Sequence, residues 1–287
     1  MAMLRLHSRS LRNGLRELLS LADREVVIAS PYIKTCEADW VCNELARRGP
    51  SIRLQVLTDV RSTNVLNGSL DIAALCTFSA RLPAAVIVNL PRLHAKVYVA
   101  DRVCALITSA NLTPSGMDIN FEFGVESHDP ALVAEVRASL DSYSRLGNIL
   151  SPESLDELRR LGEELGAEFQ RVERSAASAL KRQFSAKLRA ANYEFLRAQV
   201  GARPAQSLFS EAILFALRPG PMPTGELHPR IQKLLLDLCD DSVELVINGE
   251  HFGKRWKHAV RNAQQHLKRT GRIVFDGKHW SVSAGSS

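Results

Sequence analysis

The chain has few of the features that mark secreted, zinc-binding or membrane-spanning proteins. Its five cysteines are scattered, odd in number and without a CxxC pair, which favours a reducing compartment and argues against a zinc site. No apolar run is long enough for a signal peptide or a membrane-spanning helix. We therefore expect a soluble cytoplasmic protein. The 287 residues suffice for one large or two modest domains, and the net charge of +6 mildly favours a polyanionic partner.

The most informative spacing of polar residues lies between Leu93 and Glu122. It reads His94-x-Lys96, four residues, Asp101, six residues, then Thr108-Ser109-Ala110-Asn111. Alternation over Leu93–Val99 predicts a strand with His94 and Lys96 on one face, and Ser109 and Asn111 share a face at the end of a second strand, Val103–Thr108. An imidazole, an ammonium, a hydroxyl and an amide together suit a tetrahedral anion, with His94 able to attack phosphorus or carry protons.

The rest of the first half alternates strands with helices, which predicts an α/β fold with a mixed sheet covered on both faces. The further predicted strands are Glu25–Ser30, Ile52–Leu57, Ala85–Leu90 and Glu122–Glu126. The predicted helices are Leu4–Leu21, Ala38–Arg48, Ser69–Arg81 and Pro130–Leu146.

The spacing resembles the phospholipase D superfamily motif HxK-x4-D-x6-GSxN over roughly residues 24–126, with Thr108 standing where the family usually has glycine. The resemblance implies a phospholipase D-like fold and a catalytic set of His94, Lys96, Asp101, Ser109, Asn111 and Glu122. It places Glu122 beside His94 as the carboxylate that orients the imidazole. Asp101 falls in a turn on the wrong parity for the catalytic face, so we expect it to brace the turn rather than to touch phosphate.

The chemistry that this resemblance implies uses two histidines, one as the nucleophile that forms a phosphohistidine and one as the general acid. This chain has one such motif. His266-Leu267-Lys268 is a second HxK, but it falls on a predicted helix and lacks the following Asp and Asn. We therefore expect a homodimer with one active site at its twofold axis. No acidic cluster with magnesium spacing accompanies the motif, so the predicted reaction needs no metal or other cofactor.

The second half of the chain begins with a long helical region, Pro152 to about Gln199, expected to break near Gly166. Its apolar stripe from Leu155 to Val172 predicts packing on a domain or a second subunit, and its basic second half is either solvated or in contact with DNA. Gly201–Pro204 marks a boundary. We divide the sequence into a catalytic domain (1–150), a helical connector (151–203) and a winged-helix DNA-binding domain (204–287).

The last segment reads as helix, helix, strand, helix and hairpin, with Thr224 as the N-cap of the second helix. The run from Phe252 to Trp280 resembles the winged-helix module at the N-terminus of Mrr-type restriction endonucleases. Its basic residues predict contacts with DNA phosphates. They are Lys254, Arg255, Lys257, Arg261, Lys268, Arg269, Arg272 and Lys278. Trp256, Val260, Ala263 and Leu267 are expected to face inward. The alternative for such a module is docking to another protein.

The sequence thus predicts a homodimeric, metal-independent DNA endonuclease that acts on double-stranded DNA and has no membrane partner. The architecture is similar to phospholipase D-type restriction endonucleases, and a role in restriction or phage defence follows by that analogy. Two alternatives stay open. One is a lipid phosphodiesterase or phosphatidyltransferase, and the other is a catalytically silent DNA-binding regulator.

Overall fold

The computed structural model describes residues 4–8, 11–49, 52–173, 205–235, 238–247 and 250–283. The chain divides into two compact units, Met1–Gly201 and Ala202–Ser287.

The first unit is built on a mixed eight-stranded sheet. Its strands are β1 (Leu4–His7), β2 (Glu25–Ala29), β3 (Arg53–Thr58), β4 (Val86–Asn89), β5 (Val97–Ala100), β6 (Cys104–Thr108), β7 (Gly124–Ser127) and β8 (Asn148–Leu150). They lie in the order β1-β7-β6-β5-β2-β3-β4-β8. The pairs β2–β3 and β3–β4 are parallel and all other pairs are antiparallel. This confirms the predicted α/β class with a mixed sheet.

Helices cover both faces of this sheet. They are α1 (Leu11–Leu21), α2 (Thr35–Ala46), α3 (Ser62–Leu66), α4 (Ile72–Arg81), α5 (Pro130–Leu146) and α6 (Pro152–Glu173), with a π-helical turn at Ser115–Ile119. One core cluster joins one face of the sheet to buried side chains of α1, α2, α4 and α6. A smaller cluster joins the other face to Val133 and Leu140 of α5.

Among the differences between the first unit and the sequence prediction, three concern β1, β5 and α6. The predicted helix Leu4–Leu21 is a strand, β1, followed by α1, because Leu4–His7 pairs with the open edge of β7. The strand that carries the HxK motif begins only at Val97, although the Thr108 N–H still donates to the Lys96 carbonyl at 3.0 Å. The predicted break near Gly166 is absent from the described helix α6, which continues to Glu173.

The first part of the apolar stripe on α6 packs against the first unit. Leu155 and Leu158 are fully buried in the core of the first unit, and Leu161 and Leu165 pack against it. The first part of the stripe therefore packs on its own unit, as the first of the two predicted alternatives has it. The predicted basic helical region from Arg174 to Gln199, and the boundary at Gly201–Pro204, lie outside the described residues.

The second unit contains α7 (Ala205–Leu217), α8 (Thr224–Leu234), α9 (Arg255–Arg269) and five short strands. The strands are β9 (Met222–Pro223), β10 (Glu244–Ile247), β11 (Glu250–Lys254), β12 (Ile273–Phe275) and β13 (His279–Val282). Strands β12, β13 and β9 form an antiparallel three-stranded sheet, while β10 and β11 form a separate hairpin. The sequence predicted the terminal hairpin β12–β13 and missed β9 and β11.

Packing in the second unit follows the predicted apolar positions. Trp256, Val260, Ala263 and Leu267 of α9 are all buried, which confirms that this face turns inward. Thr224 is not the N-cap of α8: that position is Pro223, and the Thr224 hydroxyl instead accepts a hydrogen bond from the Trp280 indole at 2.9 Å. The Thr224 hydroxyl, which the sequence predicted would cap the helix, is therefore used in a tertiary contact with Trp280. Assignment of this unit as a winged helix stays a prediction.

None of the helices in the described ranges is both long enough and apolar enough to cross a lipid bilayer.

Candidate functional site

The two residues of the HxK motif, His94 and Lys96, lie directly before the start of β5 and contact each other. The His94 side chain is exposed, whereas Lys96 is buried, with only 8% of its surface accessible to solvent. The Lys96 ammonium donates to the His94 carbonyl at 2.9 Å and lies 3.4 and 3.3 Å from the two ring nitrogens. Burial lowers the pKa of Lys96, and the negative charge of Glu122 opposes that shift. The site therefore pairs an accessible imidazole with a poorly solvated cation, whose field acts strongly on a nearby anion.

Glu122 is bonded to residues other than His94. Its carboxylate accepts hydrogen bonds from the Ser109 hydroxyl and, at 3.2 Å, from the Asn120 amide. The Ser109 hydroxyl in turn accepts from the Phe123 N–H at 3.0 Å. No hydrogen bond joins Glu122 to His94 among the described residues, so its orienting role stays a prediction. Asn120, which the sequence did not single out, is a further member of this cluster.

The loop after β6, which carries Ser109 and Asn111, is held from two sides. The fully buried Tyr98 hydroxyl donates to the Ala110 carbonyl at 3.1 Å. The Ser30 hydroxyl accepts from the Leu112 N–H at 3.0 Å. Burial raises the pKa of the Tyr98 phenol well above its usual value, so this hydroxyl remains a donor. Tyr98 of β5 and Ser30, the residue directly after β2, thus hold the loop in position.

Thr108, at the position where the family usually has glycine, also has a local structural role. Its hydroxyl donates to the Phe123 carbonyl at 2.7 Å and accepts from the Ala110 N–H at 3.1 Å. It therefore ties the end of β6 to the segment that carries Glu122. The departure from the family pattern adds bonds and leaves Ser109 in contact with Glu122.

Asn111 has a buried amide oxygen that has no hydrogen-bond partner among the described residues. The π-helical turn closes tightly over its backbone, because a Cβ on Gly116 would lie 2.5 Å from the Asn111 carbonyl oxygen. A buried polar atom without a partner is costly, so each one calls for an explanation. The backbone of Asn111 is thus held in place, and its amide oxygen lies buried without a protein donor among the described residues.

Asp101 lies away from this cluster, at the opposite end of β5 from Lys96. Its carboxylate accepts from the backbone N–H groups of Asp23, Arg24 and Glu25 at 2.8, 3.1 and 2.7 Å. Its φ of 48° is left-handed, as the tight turn to β6 requires. The structure therefore puts Asp101 in the turn that the sequence expected, where it holds the start of β2.

The basic residues predicted to bind DNA lie on α9 and the terminal hairpin or directly before them. Arg255, Arg261, Arg272 and Lys278 are exposed, and Lys254 and Lys257 are half-buried. Lys254 pairs with Glu244 at 3.4 Å and Arg272 with Glu211 at 4.0 Å. In the described part of the chain, Arg255, Arg261 and Lys278 have no ion pair. A basic surface is therefore present, and its partner stays a prediction.

Exposed apolar side chains flank Glu122, a feature that the sequence did not predict. Ile119, Phe121 and Phe123 are all strongly exposed, and Phe121 is fully so. Ile119 is the last residue of the π-helical turn, and Phe121 and Phe123 lie between that turn and β7. Exposed apolar side chains of this kind are compatible with the lipid phosphodiesterase or phosphatidyltransferase alternative.

Comparisons with known proteins agree with this geometry. A family model described as "Cardiolipin synthase, PLD-like domain" matches residues 15–143. Cardiolipin synthase A of Pseudomonas aeruginosa is 31% identical over 160 residues, which are 54% of this chain and 31% of that protein. The chain therefore spans less than a third of the length of the curated relatives that it matches.

Two solved structures also resemble the chain. The phospholipase D family member Nuc from Salmonella typhimurium shares 16% identity with a TM-score of 0.44, covering 52% of this chain and 98% of that one. Phosphatidylserine synthase from Haemophilus influenzae shares 17% identity with a TM-score of 0.47, covering 60% and 45%. At these identities neither bears on substrate or activity.

The HxK motif beside β5, the mixed sheet and the match of residues 15–143 to the family model together show that this part of the chain has a phospholipase D-like fold.

Proposed function

We propose that this chain is a metal-independent phosphodiesterase that hydrolyses double-stranded DNA through a phosphohistidine on His94. The observation that carries the proposal is the contact between the exposed His94 ring and the buried Lys96 ammonium within a phospholipase D-like domain. An exposed imidazole can reach the phosphorus, and a poorly solvated cation stabilises the negative charge that develops there.

In the first step a ring nitrogen of His94 attacks phosphorus and the bond to the leaving oxygen breaks. Lys96 and the Asn111 amide offer hydrogen bonds to the non-bridging oxygens. A general acid gives its proton to the leaving oxygen, a contribution of about 10²–10⁴-fold in rate. In the second step the same group, now a base, takes a proton from water, which attacks the phosphohistidine and releases His94. In this course Lys96 and Asn111 supply the hydrogen-bond donors, so no step calls for a metal. The Glu122 carboxylate is already bonded to Ser109 and Asn120.

The general acid must come from a second chain. The protein has eight histidines. Within the described residues the His94 ring is hydrogen-bonded to Lys96, and none of the other histidines contacts it through a hydrogen bond. The second HxK, His266 and Lys268, lies on α9, where residues two apart point in different directions. His94 of the partner subunit therefore completes the site in a homodimer, and the apolar residues Ile119, Phe121 and Phe123 offer a surface that a second chain can cover.

DNA is the proposed substrate because the basic residues of α9 and the terminal hairpin present a surface suited to phosphates. Exposed arginine and lysine side chains without internal ion pairs remain available to a polyanion. The second unit would thus hold the duplex while the phospholipase D-like domain cleaves it. A role in restriction or phage defence remains a prediction by analogy.

Incubation of the full chain with supercoiled plasmid in excess EDTA tests this function. We expect nicked and linear DNA from the wild type and none from His94→Ala. The control His251→Ala alters an exposed histidine of the second unit that is bonded to Glu244, and should cleave like the wild type. A requirement for added Mg²⁺, or cleavage that survives His94→Ala, would contradict the proposal.

The second candidate is phosphatidyl transfer, favoured by the exposed apolar residues beside Glu122. Phe121 and its neighbours could insert among acyl chains, as apolar side chains do at membrane interfaces. The match to cardiolipin synthase A points the same way. Phosphatidylglycerol vesicles in the same buffer separate the candidates, because a transferase would convert lipid and leave the plasmid intact. Binding of DNA with neither reaction would identify a silent regulator.

A further inference from the structure

A second cluster of chemically active side chains lies at the edge of the sheet formed by β1, β7 and β6. It contains His7, Cys104, Glu126 and His128. Glu126 and His128 lie two residues apart at the end of β7, and so on the same face. Because β6 runs antiparallel to β7, the first residue of β6, Cys104, meets this end. Strand pairing thus brings together a carboxylate, two imidazoles and a thiol from three separate segments of the sequence.

The centre of the cluster is the buried carboxylate of Glu126. One oxygen lies 2.9 Å from His7 Nε2 and the other 2.8 Å from His128 Nε2. In the described part of the chain, no lysine or arginine forms an ion pair with it. A buried carboxylate without a permanent cation is costly unless positive charge reaches it by another route. Protonated histidine could supply that charge, and so could a metal ion.

We propose that Cys104, Glu126 and His128 bind a zinc-class divalent cation that fastens β6 to β7. Their ligand atoms all lie within 4.8 Å of one another. Ligand atoms around tetrahedral zinc are roughly 3.3–3.6 Å apart, so binding requires side-chain shifts of about 1 Å, and His128, the exposed member of the set, has the most room to move. The set combines a thiolate, an imidazole and a carboxylate, which suits Zn²⁺ and Co²⁺ rather than Mg²⁺.

His7 has a positioning role in this site. Its ring lies against α1, and a Cβ on Gly14 would come within 2.8 Å of it, so glycine leaves the ring its place. His7 donates to Oε2 of Glu126, so the cation would bind Oε1, the oxygen that lies 2.8 Å from His128 Nε2. Such outer hydrogen bonds fix the orientation of a ligand, and their loss weakens metal affinity by about 10–100-fold.

Binding is coupled to proton release. Burial, together with the charge of Glu126, raises the pKa of the Cys104 thiol to about 12. The thiol is therefore protonated before the metal arrives, and a bound cation displaces that proton to solvent. The exposed side of His128 provides the route of entry. The sequence predicted no zinc site because it has no CxxC pair, but these ligands are assembled by strand register.

Cobalt titration tests the site, and because none of these residues belongs to the His94 cluster, the test is independent of the proposed function. The full chain is stripped with chelator, desalted and titrated with Co²⁺, and the thiolate-to-cobalt charge-transfer absorption is followed. We expect saturation at about one ion per chain and loss of the band when Zn²⁺ is added. His7→Gln should weaken cobalt binding by about 10–100-fold.

Matched variants make the result decisive. Cys104→Ser and His128→Gln should lose the band, whereas Cys42→Ser, a change at another buried cysteine, should keep it. If circular dichroism shows that Cys104→Ser misfolds, the half-exposed His128→Gln decides the question. No charge-transfer band in the wild type, or an unchanged band in His128→Gln, would mean that the cluster is a hydrogen-bonded network only.

Discussion

Replacement of Asp101 tests whether a residue of the catalytic motif acts in catalysis or in folding. In the structure its carboxylate bonds three successive backbone N–H groups at the start of β2. Lys96 precedes it by five residues, which is about 16 Å along an extended strand. From that distance the carboxylate cannot contact a phosphate held by Lys96. We therefore expect Asp101→Ala to destabilise the first unit and to leave the rate of each folded molecule nearly unchanged.

The size of the effect follows from the three bonds. The bond to the Glu25 N–H is partly buried and contributes about 1.5 kcal/mol, and the two exposed bonds contribute roughly 0.5 kcal/mol each after solvent screening. Alanine also tolerates the left-handed φ of 48° less well than aspartate. The total is about 3 kcal/mol, which corresponds to a fall in Tm of about 6–12 °C for a unit of this size.

Two further variants sharpen the assay. Asp101→Asn keeps one carbonyl oxygen, the acceptor for Arg24 and Glu25, and should lose only about 1 kcal/mol. Asp129→Ala removes another backbone cap, at the start of α5, where the carboxylate accepts from the Ala131 and Leu132 N–H groups. It should cost about 0.5–2 kcal/mol, again with activity retained.

The assay compares thermal unfolding with plasmid cleavage, both corrected for the folded fraction. If Asp101→Ala cleaves within about twofold of the wild type while its Tm falls, Asp101 has a structural role and not a catalytic one. A loss of about 10²-fold or more with an unchanged Tm is the scale expected of a catalytic group, and would refute the reasoning.

Three other outcomes follow from the structure and the proposed function. Equal mixing of wild-type and His94→Ala subunits should leave about a quarter of the activity if two chains share one site, whereas independent sites would leave about half. Tyr98→Phe removes the buried bond to the Ala110 carbonyl and should cost about 1–3 kcal/mol and slow cleavage, as unfolding and rate measurements will show. Charge reversal in the second unit should weaken DNA binding at all sequences and flatten its salt dependence, by fluorescence anisotropy; unchanged affinity would favour a docking module. The sites are Arg255, Lys257, Arg272 and Lys278.

The sequence determined the elements whose limits depend on neighbouring residues. Helix α5 has the predicted bounds, Pro130–Leu146, because Asp129 caps its first turn, proline suits its first position and Gly147 follows its end. The HxK spacing likewise predicted that His94 and Lys96 would be neighbours, since two residues apart on an extended chain point the same way. These are local properties, and no distant contact alters them.

The tertiary structure decided everything that depends on a distant partner. Leu4–His7 has an apolar pattern that fits a helix or a strand, and the free edge of β7 makes it a strand. Spacing alone could not show that Glu122 would bond Ser109, because the two segments that carry these residues meet only after the sheet forms. The cluster around Glu126 has the same origin. Backbone hydrogen bonds between strands are satisfied across long stretches of sequence, so register, and with it the chemistry of each site, is fixed only by the fold.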